Sequence, residues 1–212
     1  YFVQVFRWVP SVADPNATLE PAWIAKTDWK PLDAITGSAY TSLYVQGFYP
    51  AIENGALYVP AASGKVRRYN LATGALLATI DPLVGTTFSG DARTLSVNAL
   101  SSDRGHVRFG VVALPTSSDP AVAPRGSWLV DVDAANSARI VPWSNLAGPT
   151  VGVPTSTDLC QYPFHINGTP GPTGPDSAAP MFPCGPQRPA MNSPFAVSPD
   201  GSDEMPEGAA MG

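Results

Sequence analysis

The chain has 212 residues, 44% of them hydrophobic and only 14% charged, with a net charge of -5 at pH 7. That balance suffices for a core but excludes a general nucleic-acid binder, because neutralising phosphates needs a basic face and the longest basic run is Arg67-Arg68. Apolar runs fall short of the ~18–20 residues of a membrane-spanning helix, and 24 prolines with 19 glycines suit many short strands joined by turns rather than helices.

The chain opens on Tyr1, so any signal peptide has been removed or never belonged to this stretch. Residues 2–8 (FVQVFRW) and 21–25 (PAWIA) read as strands, the second as the outermost of its sheet, in a partial unit with a connecting segment over 1–48. The clearest unit is 49–95. Its segment 50–53 pairs with 56–60 across Asn54-Gly55, a dipeptide that supplies the positive φ values of a type I′ hairpin turn. Ser63-Gly64 then turns the chain into 65–71, and Thr73-Gly74 turns it again into 75–80. Four strands joined by three tight turns make one antiparallel meander.

A looser copy covers 96–141. Residues 96–100 lead through Asp103-Arg104-Gly105 into 106–113, and 126–133 turns at 134–136 into 138–141. Segment 142–190 stands apart as a Pro/Gly-rich loop or lid on a rigid scaffold. It holds both cysteines, Cys160 and Cys184, 24 positions apart. They read as a disulfide closing that loop, with two buried free thiols as the alternative; a bridge would place the protein in an oxidising compartment, extracellular or periplasmic. A further unit begins within 191–212, with Asp200-Gly201 as its hairpin turn and a tail after it that shows no strand pattern.

Three turn glycines, Gly55, Gly105 and Gly201, lie 50 and 96 positions apart, close to one and two steps of a common repeat. Within 49–80 the residues Pro50, Gly55, Tyr58, Gly64, Val66, Tyr69, Asn70, Thr73 and Gly74 carry the pattern. It resembles the repeat of quinoprotein-like (PQQ-type) β-propellers. The resemblance implies an all-β fold of β-propeller blades, each a four-stranded antiparallel meander. A closed ring takes about four to eight blades, and two full blades with two partial ones leave it incomplete. The chain is therefore expected to be a fragment, with another polypeptide or subunit completing the propeller. Pyrroloquinoline quinone and calcium are the cofactors that the resemblance brings into view. The adjacent cysteine pair common in quinoprotein dehydrogenases is absent, however, and Ala78 stands where such repeats often end in Trp.

Side chains able to do chemistry are few. His106 begins a strand and reads as solvent-facing. His165, with Tyr162 and Arg188, lies in the Pro-rich loop, and the three are candidates for a contact surface. Asp131, Asp133 and Asn136 offer three oxygen ligands around one turn, a candidate calcium site without the spacing of an EF-hand loop. Trp8, Trp23, Trp29, Trp128 and Trp143 read as packing between blades, or as a stacking platform for carbohydrate. Motifs for serine hydrolases, zinc proteases, dithiol redox centres and haem attachment are missing. These features point to a secreted scaffold acting in binding or protein interaction. The resemblance adds a PQQ-type oxidoreductase whose cofactor site is completed by chain not present here, and the funnel of a propeller adds a hydrolase or lyase site.

Overall fold

A computed structural model describes residues 1–9, 18–31, 48–116, 124–145, 159–161, 181–183, 196–197 and 203–204. Among them every regular element longer than three residues is a strand, and all strand pairs are antiparallel. No helix among the described residues is long and apolar enough to cross a membrane.

The expected meander is present as a four-stranded sheet in the order β3-β4-β5-β6, formed by Ala51–Glu53, Ala56–Pro60, Val66–Asn70 and Leu76–Ile80. Its turns work as the residues dictate. Asn54 and Gly55 both have positive φ (47° and 71°), the left-handed pair that matches the twist of a hairpin. At the third turn the Asn70 side chain accepts hydrogen bonds from the Ala72 and Thr73 N–H groups, and Gly74 takes a φ of 72°.

Alternation along β4 explains where the core sits. Ala56 and Tyr58 point to one face and Leu57 and Val59 to the other, and all four are buried. On the Leu57 face lies a hairpin of β1 (Phe2–Val9) and β2 (Thr18–Lys26), which contributes Val3, Val5, Trp23 and Ala25. On the Tyr58 face lies a second sheet. That sheet supplies Val107, Phe109, Val111, Trp128, Val130 and Val132 to one continuous core with Tyr58, Val66 and Ile80. The meander is thus a middle layer covered on both faces, which is why its central strand is apolar throughout.

The second sheet runs β11-β10-β9-β7, with β8 also on β9; these are Ala138–Pro142, Gly126–Val132, His106–Ala113, Thr94–Ser96 and Ser101–Asp103. Here the expected strand at 96–100 is corrected. Two short strands replace it, β7 against the end of β9 and β8 against its start. The break has a visible cause. The Val97 N–H stays on the Gly110 carbonyl, but the Leu100 N–H crosses to the Tyr49 carbonyl beside the meander, and Leu100 joins the core between the sheets. The strand is divided because it serves two layers.

Two further readings change. Within the loop region, Leu159–Gln161 (β12) pairs with Met181–Pro183 (β13), with Cys160 opposite Phe182, so that region carries a short ladder of its own. Ala196–Val197 (β14) pairs with Asp203–Glu204 (β15), which corrects the reading of the tail as free of strand. Its polar residues show no alternation, so only the pairing reveals it. Cys184, Tyr162, His165, Arg188 and the turn at Asp200-Gly201 lie outside the described residues.

Candidate functional site

Among the described residues, two places bear on the candidate sites. The first is the outer face of the second sheet, away from the meander. Asp131 of β10 stands in register between Arg108 of β9 and Arg139 of β11. Its carboxylate oxygens lie 3.0 and 3.1 Å from His106 Nδ1, and Oδ1 lies 3.5 Å from Arg108 Nε. His106 is thus partly exposed, as its strand position suggested, but it is held by a carboxylate. Such a bond fixes which ring nitrogen faces outward.

The same contacts place the proposed calcium ligands. Asp131 faces His106 and Arg108, whereas Asp133 Oδ1 accepts from the Ala135 and Ser137 N–H groups at 2.8 and 2.9 Å. Asn136, at a φ of 67°, accepts from Arg68 of the meander at 3.0 Å. Each oxygen group serves a different partner. Among the described residues no group of three or more His, Cys, Asp and Glu is placed to hold a metal ion.

The second place is a cleft of about 400 Å³ at the end of the hairpin, lined by Tyr1, Lys26, Thr27, Asp28, Trp29, Lys30 and Arg67. Its floor is built by the chain leaving β2. The Thr27 N–H donates to the Tyr1 carbonyl at 3.0 Å, and buried Thr27 Oγ1 accepts from the Trp29 N–H at 3.1 Å. Trp29 then sits edge-on to Tyr1 and to Phe48, with ring centroids 5.9 and 5.1 Å apart. Arg67 reaches across from β5 to Asp28 at 2.9 Å and donates to the Lys26 carbonyl at 3.1 Å. Asp28 is thereby neutralised, and Lys26 and Lys30 remain exposed.

The five tryptophans divide by role. Trp23 donates its indole N–H to the Leu71 carbonyl at 2.8 Å and packs against Gly74, so it locks the hairpin to the meander from a position where the repeat pattern gave no warning. Trp128 packs with Phe88 between the sheets, and Trp143 with Leu129 behind the second sheet. Trp29 lines the cleft. Trp8 is 65% exposed.

Comparison of the chain with protein-family models and with curated proteins gives no match. Among solved structures, a europium-containing methanol dehydrogenase matches 66% of this chain with 13% identity and a TM-score of 0.37. The chain covers 22% of the length of that protein. A likeness at this level does not define the fold, which rests on the sheets described above.

Proposed function

We propose that the chain is part of a propeller-like stack of sheets that acts as a binding scaffold, and that a further antiparallel sheet covers the outer face of its first hairpin. One observation carries this reading. Phe2, Phe6, Trp8, Leu19 and Ile24 share the face of the β1–β2 hairpin turned away from the meander, and each is 49–66% exposed. Scattered exposed apolar residues are ordinary, but five on one face of a two-stranded ribbon mark an interaction surface. The rest of the molecule indicates the occupant, since the meander's two apolar faces each take another sheet. The polypeptide supplying that sheet belongs to this protein or to a second subunit. A Cys160–Cys184 bridge and an exported location belong to the same proposal.

The test is a pair of charge substitutions, Phe6→Lys and Ile24→Glu, in the protein as isolated from its source. With a sheet seated on this face, each forces a charge into an apolar contact and costs several kcal/mol. With the face open to water, each costs within about 0.5 kcal/mol, and the proposal fails.

A further inference from the structure

From the cleft beside the hairpin we infer a binding site for a small carboxylated sugar of the hexuronate class. Three features converge there. The first is charge. The chain has only three lysines and a net charge of -5, yet Lys26 and Lys30 line this one cleft. The neighbouring Arg67 is spent on Asp28, so the lysines are the groups left to meet an anion. Attraction of a carboxylate follows from two ammonium groups at the mouth of a concave site.

The second feature is shape. A volume of about 400 Å³ falls within the range of small-molecule sites, roughly 300–1,000 Å³, and suits one or two sugar rings. The third is the aromatic wall. Trp29 and Tyr1 stand edge to face, which presents rings to a ligand whose own faces carry C–H groups. A phosphate would use the lysines and leave the rings idle. A neutral sugar would use the rings and leave the lysines idle. A hexuronate engages both.

Titration calorimetry of the whole chain at low salt, with galacturonate, galactose, benzoate and inorganic phosphate, tests this. Saturable galacturonate binding is expected, weakened tenfold or more by Lys26→Gln with Lys30→Gln and by Trp29→Leu, with galactose, benzoate and phosphate each at least tenfold weaker. The lysine side chains are exposed, and an unchanged thermal midpoint for that double variant shows that its fold is intact. Absence of saturable galacturonate binding overturns the inference, as does galacturonate binding that survives the lysine changes. Galactose binding equally well removes the role of charge, and benzoate or phosphate binding equally well removes the sugar; either result also overturns it.

Discussion

Glu53, just before the Asn54-Gly55 turn of the meander, accepts a hydrogen bond from the backbone N–H of Gly105 in the turn between β8 and β9, at 2.8 Å. Ser102 repeats the link by donating to the Ile52 carbonyl at 2.9 Å. The two turns are one repeat apart, and these bonds hold their sheets in register. Arg104 and Gly105 adopt the same left-handed pair of φ values as Asn54 and Gly55. Replacing Glu53 with Ala leaves a backbone donor without its charged acceptor. A loss of about 1–2 kcal/mol in urea unfolding is expected, with Glu53→Gln recovering part of it. An unchanged midpoint for the Ala variant would contradict the role given to this bond.

Two turn glycines separate backbone strain from packing. Gly55 has a φ of +71° with open space where a Cβ would stand, so Gly55→Ala is expected to cost about 1–2 kcal/mol from the left-handed conformation alone. Gly74 has nearly the same φ, but an added Cβ would stand 2.7 Å from the Trp23 ring. Gly74→Ala is therefore expected to cost distinctly more and to displace Trp23 from the Leu71 carbonyl. Thermal unfolding compares the two; equal losses would mean that Trp23 does not rest on Gly74.

Acid should weaken the link between the chain entering β7 and the start of β10. Burial by itself raises the Asp91 carboxyl, but the Arg93 backbone N–H and the Arg125 guanidinium outweigh it and hold the group below the usual carboxylate range. A lowered folded-state pKa contributes stability above the unfolded value, about 3.9, which disappears as pH falls through the folded value. Stability measured from pH 6 downward should fall less steeply below about pH 4 in Asp91→Asn than in the unmodified protein. Parallel curves would remove this assignment.

Cys160 and Cys184 are expected to be bridged. Mass spectrometry after alkylation without reduction should find neither thiol modified, and reduction should cost roughly 3 kcal/mol for a loop closed over 24 positions. Two alkylated thiols in the unreduced protein would rule the bridge out.

The local part of this fold was legible in the sequence. Asn54-Gly55, Ser63-Gly64 and Thr73-Gly74 announce their turns because a positive φ favours few residue types, and the meander follows from them. What escaped depends on residues far apart in the chain. Trp23 meets Gly74 from another sheet, His106 finds Asp131 across 25 positions, and Lys26 joins Arg67 at one cleft across 41. The division of β7 from β8 is equally non-local, since Tyr49 draws Leu100 out of the strand. Alternation shows that a strand has two faces without showing what lies against each.

The proposal that another sheet seats on the outer face of the β1–β2 hairpin has a direct readout at Trp8, which is 65% exposed there. Its most direct test replaces Trp8 with a photo-crosslinking phenylalanine analogue in the protein as isolated from its source and maps the product by peptide mass spectrometry. One dominant crosslink is expected, to a strand-forming segment of the same protein or of a bound subunit. A residue 8 that reacts only with solvent, with no peptide joined to it, would contradict the stacked scaffold proposed here.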